Sequence, residues 1–204
     1  MEYTILIIAW CVWCSLHSVM ISLTVTNYLK EKLGRKYRFY RLFYNLFAIA
    51  TLIPVILYEA TLRTQPVFRW DGLFLIFRLI LITTALLLFV SGAMKYDMLH
   101  FFGIRQIQSG NSYSALSPTN DIDTSGILSL IRHPWYSAAI LLVWAGSNEL
   151  YVTTFLVNII LTVYIVIGTF LEERKLIVEY GDRYRDYMKK VSMLFPFKWI
   201  CSKF

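Results

Sequence analysis

The sequence predicts an all-α integral membrane protein of about five transmembrane helices, with a C-terminal helical hairpin and a cytoplasmic amphipathic helical tail. Three observations predict it. The 204 residues are 57% hydrophobic and 17% aromatic, more apolar than a soluble domain of this length. The apolar residues fall in runs: Tyr3–Tyr28, Leu42–Tyr58 and Leu150–Leu171 carry no charge, and Gly72–Met94 carries only Arg78. Each is close to the ~20 residues that cross a ~30 Å hydrocarbon core as a helix. The basic residues are grouped in the polar segments between the runs. Helices are the expected form, because backbone groups in lipid must pair within their own segment.

The first run has no basic n-region and no small-residue cleavage site, so a retained helix is expected. Its "CVWC" (Cys11–Cys14) has the spacing of a redox or zinc motif. Without two further ligands, small apolar side chains are the expected reading. His17 lies in the middle of this helix. A buried neutral histidine bonded to a neighbouring helix is the default, and a place in an acceptor pocket is the alternative. Glu59 and Arg78 are expected to pair across helices, and His100 reads as a surface histidine.

Charge then sets an orientation. Lys30, Lys32, Arg35, Lys36, Arg38 and Arg41 follow the first run; Lys95, Arg105 and Arg132 lie between the third and fourth; eight more follow the last. Only Arg63, Arg69 and Arg78 fall elsewhere. With five spans, the positive-inside rule puts the N-terminus outside and the tail in the cytoplasm. The +7 net charge therefore implies membrane lipids as partners and needs no nucleic acid. Three histidines and three cysteines, scattered along the chain, offer no metal-ligand set.

The fourth span is short. Tyr136–Gly146 covers roughly 16 Å as a helix, about half a bilayer. A short piece at Ile127–Ile131, a break at His133 and Pro134, and a short helix that returns through "GSNE" as Leu150–Leu171 are expected. The region Lys95–Gly126, with its polar, turn-rich "SGNSYSALSPTNDIDTSG", reads as a mobile lid or a disordered connector. One membrane domain is expected over 1–204: three spans in 1–94, a connector in 95–131, and the hairpin with its tail in 132–196. After Leu171, Gly181 reads as a helix stop and Asp182 as a cap. Tyr184, Tyr187 and Val191 then share one helical face.

The hairpin brings Arg132, His133 and Tyr136 on one leg towards Glu172 and Glu173 on the other. Polar groups at a bilayer edge are costly and usually functional. Two readings fit: a neutralised polar site able to hold a small ligand, or interfacial anchors beside a solvated helix end.

"RHPWY" followed by "EERKLIVEYGDRYRDYMKKVSMLFP" resembles the signature of integral-membrane methyltransferases, among them the isoprenylcysteine carboxyl, phospholipid and methanethiol enzymes. The matching positions are Arg132, His133, Pro134, Tyr136, Glu172, Glu173, Leu176, Tyr180, Gly181, Tyr184, Tyr187 and Pro196. "WCSLHSVMIS", "YRLFYNLFAIATLIP" and "YDMLHFFGIRQ" are similar to the branch that holds the methanethiol enzymes and the NnrU-like membrane proteins. The Leu-Gly-x-x-Trp-Ser type segment of the isoprenylcysteine branch is missing, which tilts the acceptor towards a small lipophilic thiol.

The resemblance implies an S-adenosylmethionine-dependent methyltransferase with a membrane-partitioned acceptor, a thiol or an isoprenylcysteine-like carboxylate. It implies that the cofactor binds at the cytoplasmic mouth of the hairpin, since none of the nine glycines form a G-x-G-x-x-G fingerprint. His133, Pro134, Tyr136, Glu172, Tyr180 and Tyr184 would contact it. Arg132 and Glu173 would be catalytic, with Arg132 pairing with the cofactor carboxylate or orienting a glutamate. His17, Arg105 and Gln106 are candidates for the acceptor side. A non-catalytic NnrU-like accessory or binding protein is the competing reading.

Overall fold

The computed structural model describes residues 1–109 and 122–203. Its elements are α1 (Glu2–Ile21), α2 (Leu23–Leu33), a 3-10 turn (Gly34–Phe39), α3 (Tyr40–Thr61), β1 (Phe68–Arg69), α4 (Leu73–Ala93), α5 (Met98–Phe101) and α6 (Ile104–Ser109). A second 3-10 turn (Gly126–Ser129), α7 (Pro134–Ala145), β2 (Glu149–Leu150), α8 (Val152–Tyr180), α9 (Asp182–Lys190) and α10 (Phe197–Cys201) follow. Among the described residues, four helical stretches are long and apolar enough to cross a membrane: Glu2–Ile21, Leu23–Thr61, Leu73–Ala93 and Val152–Tyr180. α7 is apolar too, but it has 12 residues, about 18 Å of helix. Large apolar side chains such as Leu73, Phe77 and Leu87 face outward, as they do where the surrounding solvent is lipid.

The chain divides into two compact units. The first holds Met1–Phe68, the described part of Met98–Ala115, and Leu150–Ile160; the second holds Arg69–Asp97 and the described parts of Leu116–Glu149 and Leu161–Phe204. The lid or connector expected over 95–126 is corrected in part: α5 and α6 occupy its first stretch, and residues 110–121 lie outside the described residues.

In the first unit, the run expected as one helix over Tyr3–Tyr28 breaks at Ser22. Ser22 is extended (ψ 148°), and its hydroxyl accepts the Val25 N–H at 3.4 Å. That is an N-cap, which satisfies a backbone donor and starts a new helix. α1 lays one stripe, Leu6, Trp10 and Cys14, into the interior, at the four-residue spacing of a helix face. It runs beside α3, where Trp13 Nε1 donates to the Ala48 carbonyl at 3.2 Å and the Tyr40 hydroxyl to the Met20 carbonyl at 2.7 Å. Val67 N–H donates to the Leu150 carbonyl at 2.8 Å.

Two expectations are corrected here. Glu59 does not pair with Arg78. Its carboxylate faces Arg63, one turn along the same helix, at 3.6 Å, and accepts from the Thr154 hydroxyl at 3.4 Å. Arg78, in the second unit, donates to the carbonyls of Ala145 and Gly146 and to Asn148 Oδ1. The last carbonyls of a helix lack intrahelical donors, and a guanidinium supplies them. His100 is buried, not a surface residue. Gly103 (φ 86°) turns the chain so closely onto α3 that a Cβ there would lie 2.9 Å from the Leu42 nitrogen. Arg41 and Asn45 donate to the carbonyls of Phe101 and Phe102 at 3.1 and 3.4 Å. His100 and Gln106, on either side of this turn, are both buried.

In the second unit, α4 packs along α7. The approach is closest at Gly92, where a Cβ would come within 2.5 Å of the Trp135 ring. Trp135 Nε1 donates to the Phe89 carbonyl at 3.1 Å, and Tyr96 meets the ring edge-on at 4.7 Å between centroids. Lys95 Nζ lies 2.9 Å from Asp123 Oδ2 and 2.6 Å from Ser125 Oγ. α8 ends at Tyr180, and Gly181 (φ 60°) separates it from α9, because a left-handed residue stops a helix and glycine adopts it without strain.

Candidate functional site

The polar residues singled out on both sides of α7 and α8 meet within the second unit. Their frame is a short parallel pairing. Ile131 and Ser192 form a bridge. Arg132 N–H donates to the Ser192 carbonyl at 2.9 Å, and His133 N–H to the Met193 carbonyl at 3.1 Å. Ser137 Oγ donates to the Leu194 carbonyl at 2.6 Å. The segment after α9 is thus strapped beside the entry to α7. Pro134 is the first residue of α7, where its missing N–H costs nothing and its fixed φ suits the helix. His133 is left outside the helix as its N-cap residue.

Arg132 is buried and fully engaged. Its Nε donates to Glu173 Oε1 at 2.7 Å, and Nη2 lies 2.5 Å from the same oxygen. Its Nη1 donates to the carbonyls of Val191 and, at 3.2 Å, Met188. Glu173 is 5% exposed, so its charge is neutralised by a fork donor rather than by water. His133 Nε2 is 3.2 Å from the same Glu173 oxygen, and Nδ1 is 3.8 Å from Glu172 Oε2. The His133 ring stacks on Tyr136 at 5.6 Å between centroids. The Tyr136 hydroxyl lies within electrostatic reach of the Glu172 carboxylate. Glu172 is half-buried and is the less committed of the two glutamates. Trp144 Nε1 donates to Thr162 Oγ1 at 3.0 Å.

The tyrosines divide. Tyr180, Tyr184 and Tyr187 are all buried, in one cluster with Leu176 and Val191. The Tyr187 hydroxyl donates to the Leu128 carbonyl and ties α9 to the 3-10 turn that precedes the entry to α7. Tyr184 is 3% exposed, and its hydroxyl has no hydrogen-bond partner among the described residues. Burial first, and then the Glu173 carboxylate, pushes its phenol well above the ordinary range. It is a neutral, unspent donor. Orphaned buried donors are rare and call for a reason. Tyr96 was not anticipated: burial and then the Glu172 charge raise its phenol as well, which brings it to the same polar corner. Nothing in "MKYDML" distinguishes it from an interfacial aromatic.

His17, Arg105 and Gln106 belong to the first unit. Both ring nitrogens of His17 are within hydrogen-bonding distance of the Tyr44 hydroxyl, at 2.6 and 2.9 Å. Gln106 is buried and Arg105 exposed. No group of three His, Cys, Asp or Glu side chains able to hold a metal ion occurs among the described residues.

The donor set suits a compact zwitterionic or cationic cofactor. Glu172 is an acceptor for an ammonium or hydroxyl, Tyr184 offers an unused donor, and the Tyr136 face suits a cation.

The family model described as NnrU protein matches residues 5–193 of the chain. The chain belongs to the NnrU family. This NnrU chain is 36% identical over 103 residues to the methanethiol S-methyltransferase of Pseudomonas deceptionensis, covering 48% of this chain and 37% of that protein. It is 35% identical over 101 residues to methanethiol S-methyltransferase 1 of Bradyrhizobium diazoefficiens, covering 48% and 35%. It is 28% identical over 142 residues to the methanethiol S-methyltransferase of Mycobacterium tuberculosis, covering 66% and 55%. The aligned stretch thus spans little more than a third of the length of the first two relatives. No solved structure matches the chain. These matches agree with the branch that "WCSLHSVMIS", "YRLFYNLFAIATLIP" and "YDMLHFFGIRQ" resemble.

Proposed function

We propose that this NnrU-family chain is an S-adenosylmethionine-dependent methyltransferase whose acceptor is a small lipophilic thiol. The observation that carries the reading is the Tyr184 hydroxyl, which has no partner among the described residues and lies within electrostatic reach of Glu173, Arg132 and Glu172, in a chain whose curated relatives are named methanethiol S-methyltransferases. S-adenosylmethionine, when bound, supplies an already activated methyl group.

The residues then bind, orient and exclude water, which is most of what such a displacement asks of a protein. Glu172 accepts from the cofactor's amino group or ribose hydroxyls. Tyr184 donates to it. Tyr136 and His133 offer ring faces, and Pro134 fixes the turn that presents them. Arg132 and Glu173 are spent on each other and on the 188–191 carbonyls. In this reading they are positioning residues: Arg132 holds Glu173, and Glu173 holds the His133 ring. Tyr180 packs beneath them.

The same reading takes α7 and α8 as a C-terminal hairpin, supported by the Arg132–Glu173 and Trp144–Thr162 contacts. It makes α7 the fifth membrane segment and α9 the amphipathic tail. The N-terminus is outside and the site lies on the cytoplasmic face, as the basic blocks suggest.

The experiment is equilibrium binding of S-adenosylmethionine to the detergent-purified protein, with His133→Ala and Glu172→Gln beside it. Methanethiol is then supplied and dimethyl sulfide measured. Acceptor-side roles for His17, Arg105 and Gln106 are read from alanine variants in the same assay, with an isoprenylcysteine analogue as the competing acceptor. Saturable binding that both site variants lose supports the enzyme. No binding by the folded protein, in detergent and again in lipid, would leave a non-catalytic accessory or binding protein.

A further inference from the structure

The first unit carries a second feature that the methyl-transfer site does not use. Between α2 and α3 lies a groove of about 400 Å³, within the range of small-ligand pockets, about 300–1,000 Å³. Met20, Val25, Leu29, Leu33 and Phe43 line it, with Lys36 among them. Val25, Leu29 and Leu33 are four residues apart and form one apolar stripe of α2. The Ser22 break and the Gly34 turn (φ 49°) bound α2 on either side of this stripe. The Tyr40 hydroxyl, donating to the Met20 carbonyl at 2.7 Å, holds the groove together at one end.

Lys36 lines the groove, and it stands in a basic stretch of the chain: Lys30, Lys32, Arg35, Lys36 and Arg38 are all exposed, and Glu31 is the one acidic residue between Lys30 and Arg41. An apolar slot open beside a dense group of cations matches one class of molecule: an acyl chain carrying an anionic phosphate. A neutral small acceptor would have no use for the cations. A zwitterionic lipid would bring its own positive charge against them.

We propose that the groove between α2 and α3 seats one acyl chain of an anionic glycerophospholipid, with its headgroup phosphate at Lys36. Such a lipid anchors the broken region between the first two spans. It is a defined site and not the general attraction of basic loops to an acidic surface. The inference is independent of the methyltransferase reading.

The test is native mass spectrometry of the full chain in detergent, titrated with dioleoylphosphatidylglycerol and, separately, dioleoylphosphatidylcholine. One phosphatidylglycerol should be retained saturably, roughly fivefold or more in preference to phosphatidylcholine. Lys36→Glu should abolish the preference, and Leu29→Trp, which fills the groove, should abolish retention of either lipid. Lys36→Gln, an exposed substitution, and Val25→Phe stand in if the first pair fails to fold. Equal retention of the two lipids would overturn the proposal. So would a Lys36 variant that keeps the preference, or a groove-filling variant that keeps the lipid, which leaves headgroup adhesion alone. A dimer that Leu29→Trp dissolves would assign the groove to a second copy of the chain instead.

Discussion

Arg132 and Glu173, 41 residues apart, form a buried ion pair in which two guanidinium nitrogens reach one carboxylate oxygen, at 2.7 and 2.5 Å. Both side chains are 6% exposed. Removing one partner leaves the other charged and desolvated, which costs about 3–5 kcal/mol. Glu173→Gln should therefore lower the thermal unfolding midpoint sharply. Arg132→Met combined with Glu173→Leu should recover part of the loss, though not all, because the Val191 and Met188 carbonyls lose their donor. A double variant less stable than Glu173→Gln would show that the pair is not the element holding this corner.

Tyr184 gives the opposite profile. Its hydroxyl has no partner among the described residues, so Tyr184→Phe should leave stability unchanged or slightly raised. On the proposed function the same variant should weaken S-adenosylmethionine binding by about 1 kcal/mol, roughly fivefold. Stability and affinity falling together would mean that the phenol is structural.

Gly92 tests the packing of α4 on α7. A methyl group there meets the Trp135 ring at 2.5 Å, and the ring is held by the Phe89 carbonyl and by Tyr96. Gly92→Ala should cost about 1–3 kcal/mol, as overpacking does. Trp135→Leu in the same chain should relieve most of it. If Gly92→Ala melts like the wild type, the ring has room to move.

Asp123 supplies a pH dependence. Hydrogen bonds from the Ser125 hydroxyl and N–H, and then Lys95, hold its carboxyl down to about 2, against an ordinary value of 3.8. A depressed folded value means that the stabilisation is present above the ordinary value and lost as pH falls towards about 2. The Lys95–Asp123 tie is then intact at neutral pH. Asp123→Asn should lower the unfolding midpoint by the same amount from about pH 8 down to about pH 5. The gap to the wild type should close only in stronger acid. A gap that already closes near neutrality would place the charge elsewhere.

Much of the architecture was legible because its causes are local. Uncharged runs of membrane length became helices, Gly181 stopped α8, Pro134 opened α7, and the 184–187–191 spacing placed those side chains on one buried face. The break at Ser22 was also local, a serine cap, but the apolar run around it masked the signal. His100 and Arg78 were not legible. One is buried by a turn pressed onto α3, and the other reaches carbonyls at the end of α7; neither partner is near in the chain.

The candidate site shows the same division. The sequence by itself determined which groups stand at the ends of α7 and α8, because charge beside an apolar run can only sit at its edge. Tertiary structure decided how they are used. Arg132 is committed to Glu173 and to the strap after α9, Tyr187 to the Leu128 carbonyl, and Tyr184 to nothing among the described residues. Two of the strap's bonds run from the backbone N–H groups of Arg132 and His133 to backbone carbonyls, groups that nearly every residue type carries. No side-chain pattern could announce them, and only the folded chain brings them within reach.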